Sequence, residues 1–63
     1  MRDTERIDRI IELVRQAWNF VPDWRLGQLI ANASRDCGWE DPYFMEDDYL
    51  ESELKDMVKR WKT

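Results

Sequence analysis

Few side chains in this sequence have the types or the spacing that catalysis requires. It contains no histidine and a single cysteine, Cys37. A thiol needs a neighbouring base or cation to become a good nucleophile, and we expect Cys37 to face inward, next to Gly38. Carboxylates are plentiful, but a general acid needs burial to raise its pKa. The sequence therefore predicts a protein that is not an enzyme, with no catalytic residues and no cofactor.

The acidic segment EDPYFMEDDYLE, residues 40–51, is a candidate for metal binding because it contains six carboxylates. A calcium-binding EF-hand loop alternates its Asp and Asn ligands and has a central glycine that allows the sharp turn. This segment has neither feature. We therefore expect no specific metal site.

The distribution of charge argues against direct binding of nucleic acid. The net charge is −4, and residues 38–63 hold four basic and eight acidic side chains. A surface that binds phosphates must be positive. One alternative is that an acidic helix imitates phosphate and blocks a nucleic-acid-binding protein, although acidic faces more often serve only solubility.

The chain length and the apolar pattern predict one helical domain spanning residues 1–63. We expect the first helix at residues 4–20, capped by Asp3 or Thr4. Its apolar residues recur at helical spacing: Ile7, Ile10, Ile11, Leu13, Val14, Ala17 and Trp18. The helix should end at or before Val21, because Pro22 disfavours helical geometry in the preceding residue.

The second helix is expected to begin directly after Pro22. Asp23 would cap it, Trp24 would lie in its first turn, and Gly38 would end it in a left-handed conformation. Its inward-facing residues are predicted to be Trp24, Leu26, Leu29, Ile30, Ala33 and Cys37. Glycine inside a helix costs about 1 kcal/mol relative to alanine. We therefore expect Gly27 to allow a close approach by another helix or an indole ring.

A connector and a third helix complete the predicted fold. In the connector, Trp39, Tyr43 and Phe44 should fold back over the open end of the first two helices. The third helix is predicted at residues 47–62, capped by Asp47 or Asp48. Its inward face is predicted to hold Leu50, Leu54, Met57, Val58 and Trp61. The result is an all-α fold, a small three-helix bundle made of a helical hairpin and a third, acidic helix.

The cysteine count and the hydropathy also bear on the compartment. A single cysteine allows no intramolecular disulfide, which favours a reducing cytoplasm. No run approaches the roughly 18 apolar residues that a membrane span requires, so we expect neither insertion nor a membrane partner. The four tryptophans are expected to lie mostly in the core.

With catalysis, metal binding, direct nucleic-acid binding and membrane insertion all disfavoured, we expect the protein to function by binding another protein. Aromatic rings that a small core cannot hold would form an exposed patch with a charged rim, the composition of an interaction hot spot. The predicted partner-binding residues are Trp39, Tyr43, Phe44, Glu46, Asp47, Asp48, Tyr49 and Glu51. The alternative is a structural homodimer in which the same surface is the subunit interface.

Three motifs resemble those of known short proteins. They are the helical run ending in Ala17 and Trp18, the Pro22-Asp23 turn followed by residues 26–30, and the Asp-Asp-x-Leu start of the third helix. The chain resembles short bacterial and bacteriophage proteins, with a looser likeness to the YihD-like proteins of enterobacteria. The resemblance implies an all-helical cytoplasmic protein with no catalytic residues to carry over. It also favours a phage or bacterial accessory protein that modulates or inhibits a host protein.

Overall fold

Three α-helices form the protein, and the computed structural model describes residues 4–62. Helix α1 spans Glu5–Phe20, α2 spans Leu26–Asp36 and α3 spans Asp47–Lys62, with a short 3-10 helix at Pro42–Phe44 between α2 and α3. No strand occurs within this described range. The predicted all-α three-helix bundle is confirmed.

Helix α3 is the central element, because both α1 and α2 pack closely against it. The buried apolar core consists of Ala17 from α1, Leu29 and Ala33 from α2, and Leu54, Met57 and Val58 from α3. The two alanines are small, so the helix backbones can approach each other closely. The three α3 residues were all predicted to face inward.

Three of the four tryptophans lie against this core. Trp18, Trp24 and Trp61 are half-buried and pack against it. The Trp18 indole N–H donates to the carbonyl of Trp24 at 2.7 Å, and the rings of Trp24 and Trp61 meet edge to face at 6.0 Å. Trp39 is also half-buried but lies apart from the core. The prediction that the indoles lie mostly in the core is therefore confirmed only in part. Three of them contact the core, but each of these is still partly exposed.

The turn between α1 and α2 differs from the prediction. Helix α1 ends at Phe20, just before Val21, as expected. The N–H of Trp24 then donates to the carbonyl of Val21 at 3.0 Å, which closes a turn around Pro22 and Asp23. Because this turn uses both residues, Asp23 does not cap α2.

Arg25 stands at the N-cap position of α2 instead. The side-chain oxygen of Gln28 accepts the N–H of Arg25 at 2.8 Å, which satisfies one donor at the helix start. At the start of α1, Thr4 occupies the N-cap position without a side-chain capping bond. Asp3 lies outside the described residues.

Helix α2 ends in a Schellman motif, in which Gly38 has a φ of 89° as predicted. The N–H of Gly38 donates to the carbonyl of Arg35, and the N–H of Trp39 donates to that of Ser34, both at 2.9 Å. The Ser34 hydroxyl also donates to the carbonyl of Trp39 at 2.6 Å. These bonds fix the direction in which the connector leaves the helix.

The predicted range of α3 is confirmed, but its cap is not. The carbonyl of Glu46 accepts the N–H groups of Tyr49 and Leu50, so the helix begins after Glu46. Asp47 and Asp48 therefore lie in the first turn. In the first turn, their negative charges still interact favourably with the positive end of the helix dipole.

Three apolar residues predicted to face inward are exposed. Ile7 and Ile11 lie one turn apart on α1 and are 51% and 60% exposed, and Leu26 at the start of α2 is 42% exposed. Their positions fit the helical period but lie at the edge of the buried faces.

No helix within residues 4–62 has both the length and the apolar character needed to cross a bilayer.

Gly27 is not a close-packing residue, which corrects the prediction. A Cβ atom built on it would have no neighbouring atom within 4 Å. The residue is exposed, and it borders a surface depression together with Trp24 and Arg35. A residue near the edge of the apolar face can lie on either side of the contact with another helix, and Gly27 lies on the solvent side.

We predict that Gly27→Ala raises the free energy of unfolding by about 0.5–1 kcal/mol, because it restricts the unfolded chain and meets no obstacle in the folded one. Urea denaturation followed by circular dichroism measures the change. Gly38→Ala is the matched control: its positive φ should make the same substitution destabilising by about 1–2 kcal/mol. A loss of stability in Gly27→Ala would contradict its open placement.

Candidate functional site

The eight predicted partner-binding residues do not form one surface of uniform character. The connector and the start of α3 hold all of them. Tyr43 and Phe44 are strongly exposed, whereas Asp47 and Glu51 are held by arginines of α1. The structure therefore separates residues available to a partner from residues that join the helices.

Tyr43 and Phe44 form an exposed aromatic pair. Their side chains belong to residues that are 85% and 65% exposed. The two rings meet edge to face, with centroids 5.0 Å apart and an interplanar angle of 78°. The expectation that they fold back over the first two helices is wrong, because the backbone of the 3-10 helix approaches α2 while its rings extend into solvent.

The backbone beneath the aromatic pair is held by local bonds. An Asp41 carboxylate oxygen accepts the N–H of Tyr43 at 3.0 Å, and the Asp41 carbonyl accepts the N–H of Phe44 at 3.2 Å. Pro42 begins the turn, with its φ fixed by the pyrrolidine ring. The aromatic pair is therefore presented by an ordered turn.

Trp39 and Tyr49 make a second aromatic contact, which anchors the connector to α3. Their ring centroids are 5.8 Å apart. Trp39 is half-buried, while Tyr49 remains exposed. Of the three connector aromatics, only Trp39 is half-buried, and its ring contact is with α3; the sequence had predicted that all three would fold over the end of the first two helices.

Two of the predicted acidic residues link α3 to α1. Arg6 Nε lies 2.7 Å from Asp47 Oδ2. Arg9 binds both carboxylate oxygens of Glu51, at 2.6 and 3.2 Å. The bond from Arg9 is the main reason that the pKa of Glu51 lies below its usual value, and Lys55 at 3.7 Å adds to the effect. Periodicity alone did not reveal these links, since they join residues about 40 positions apart.

The other acidic residues that flank the aromatic pair along the chain are exposed, and unlike Asp47 and Glu51 they are not bound by any arginine that the structure describes. We call Glu40, Asp41, Glu46 and Asp48 the acidic rim. None of them forms an ion pair with another residue in the described range 4–62. Their negative charge is therefore open to solvent or to a partner.

A polar cluster between α2 and α3 was not predicted. The Glu53 carboxylate is buried, lies 3.2 Å from an Arg60 guanidinium nitrogen, and accepts from the Cys37 thiol at 3.8 Å. Burial raises the pKa of Glu53, and Arg60 opposes that shift. The sequence offered one indication that Glu53 is buried, its position next to Leu54 in the apolar pattern of α3. A carboxylate at such a position is ordinarily expected to lie in solvent.

The same cluster determines the state of Cys37. Burial raises the pKa of its thiol, and the negative charge of Glu53 raises it further. The thiol is therefore protonated at neutral pH and weakly nucleophilic. Within the described residues, no three Cys, Asp or Glu side chains converge in a geometry that would hold a metal ion.

The fold defines the class of this protein as a small all-α three-helix bundle. Comparison with models of protein families, with curated proteins and with solved structures finds no significant match. The resemblance to short bacterial and bacteriophage proteins therefore stays a prediction, and the function must be argued from the surface itself.

Glu53 and Glu51 should change stability with pH in opposite directions. The pKa of Glu53 is raised by folding, so its contribution is present below the usual value of 4.5 and is lost as the pH rises through the folded value. The pKa of Glu51 is lowered, so its contribution is present above 4.5 and is lost as the pH falls.

We therefore predict that Glu53→Gln gains stability relative to the wild type as the pH rises from about 4 to about 8. Glu51→Gln should lose stability relative to the wild type as the pH rises from about 2 to about 5, because the wild type gains its ionised bond with Arg9 over that range. Urea denaturation of the wild type and both variants at several pH values measures the differences. Parallel pH profiles for the two variants would contradict the opposite environments of these carboxylates.

Proposed function

We propose that this protein is a protein–protein interaction module that binds its partner through the aromatic pair. The observation that carries the proposal is the exposure of Tyr43 and Phe44, at 85% and 65%. Large apolar rings in contact with water lose the free energy that burial would provide, and binding hot spots are enriched in aromatic residues. Docking of the pair into a partner would recover that free energy.

The ordered turn beneath the rings supports this proposal. Binding is weakened when flexible groups must be fixed on association, and a preorganised surface reduces that loss. Here Asp41 and Pro42 already fix the backbone that carries both rings. The aromatic pair can therefore dock with little rearrangement of its backbone.

We extend the proposal to the biological setting. The protein would act without catalysis in the cytoplasm, as a bacterial or phage accessory protein that modulates or inhibits a host protein. Support for the compartment is the lone cysteine, which favours a reducing environment. Support for a role without catalysis is the protonated state of that thiol and the lack of histidine.

A homodimer is the second candidate function, favoured by a separate observation on α1. Ile7 and Ile11 expose adjacent apolar side chains on one helix face, which a second copy of the chain could cover. A nucleic-acid mimic has less support, because Asp47 and Glu51 are already bound by Arg6 and Arg9. That pairing reduces the free negative charge along α3.

The proposal predicts that Tyr43→Ser/Phe44→Ser abolishes capture of the partner from a bacterial lysate. Folding should be unchanged, because both side chains are exposed, and circular dichroism with urea denaturation checks this. The matched control is Ile7→Ser/Ile11→Ser, which removes two exposed apolar side chains from α1 and should leave capture intact.

Other outcomes would assign the function elsewhere. If capture survives the loss of both rings, the aromatic pair is not the binding surface. If the wild type sediments as a dimer and the α1 variant as a monomer, the homodimer is the better description. Sedimentation velocity of all three proteins distinguishes these results.

A further inference from the structure

The acidic rim indicates what kind of partner the aromatic pair fits. Between Arg35 and Lys55 the sequence has eight acidic residues and no lysine or arginine. Half of these acids form ion pairs with arginines outside the segment: Asp47 with Arg6, Glu51 with Arg9, and both Asp36 and Glu53 with Arg60.

The half without ion pairs in the described part of the chain is the acidic rim, and it flanks the aromatic pair along the chain on both sides. Glu40 and Asp41 directly precede the 3-10 helix, while Glu46 and Asp48 follow it within four residues. All four are exposed and have no ion-pair partner within residues 4–62. The surface thus combines two rings with an uncompensated negative charge.

We infer, on the basis of the proposed function, that the partner is a protein whose docking site is an apolar pocket bordered by lysine or arginine side chains. The rings of Tyr43 and Phe44 would enter the pocket, and the acidic rim would meet the basic border. Complementary charges speed the encounter and exclude wrong partners, while buried aromatic groups supply most of the affinity.

Charge argues against the other occupants of this surface. Phosphates of nucleic acids and of anionic lipids are repelled by the acidic rim. A second copy docked through the same surface would bring two acidic rims together, and like charges across an interface are unfavourable. A basic protein surface is the occupant that satisfies both the rings and the carboxylates.

The test uses a randomised displayed peptide library as the probe and the folded 63-residue chain as the bait. Peptides are selected on the wild type and then depleted on Tyr43→Ser/Phe44→Ser, so that the retained sequences require the aromatic pair. We expect these peptides to be enriched in lysine or arginine next to an apolar residue.

A charge variant then measures the contribution of the acidic rim. Glu40→Gln/Glu46→Gln/Asp48→Asn should weaken binding of a retained peptide about tenfold at low salt, and high salt should remove most of the difference. The matched control removes three exposed charges elsewhere, in Asp8→Asn/Asp23→Asn/Asp56→Asn, and should weaken binding much less.

The outcomes separate the two proposals. Retained peptides that are neutral or acidic, with affinities unchanged by the rim variant, would overturn the basic partner and leave the proposed function standing. Equal weakening by the rim variant and its control would also overturn it, because the effect would then be one of net charge. A library that yields no peptide dependent on the aromatic pair would overturn both proposals.

Discussion

Helix α3 must bury one narrow face against two helices at once, and the rest of the structure depends on this constraint. Leu54, Met57 and Val58 form that face, and Ala17 and Ala33 let the neighbouring helices come close. So small a core leaves no room for a whole indole ring. Trp18, Trp24 and Trp61 therefore lie at its margin, where one part of each ring is covered by the core and another meets water.

The same packing divides the acidic residues of the chain into two groups. Acids on the sides of α3 that meet α1 and α2 are bound by arginines, as Glu51 is by Arg9 and Glu53 is by Arg60. Both carboxylates are paired within the bundle. Glu40, Asp41 and Glu46 of the connector and Asp48 of α3 form no ion pair within residues 4–62, so four unpaired carboxylates flank the aromatic pair along the chain.

Sequence reasoning succeeded where regular periodicity or a strong local signal applied, as with the range of α3 and the left-handed Gly38. It failed where tertiary geometry decided. The assignment of Asp23 as a cap missed the turn that uses it, and Gly27 lay at a boundary that a helical period does not resolve. The expectation that Tyr43 and Phe44 fold back over the first two helices failed, because side chains of an irregular connector follow no period. The acidic content of the site was predicted, but its division into paired and free residues was not.

Folding and the proposed binding therefore draw on different aromatic residues. Trp24 and Trp61 cover the core, so their loss would destabilise the bundle. Tyr43 and Phe44 contact each other and little else, on a turn whose backbone is fixed by Asp41. Because the core uses neither ring and the turn is fixed by Asp41, the proposed binding surface can change in sequence without loss of stability. If the proposed function holds, a small domain with so few buried residues can keep one fold while its partner specificity changes at the connector.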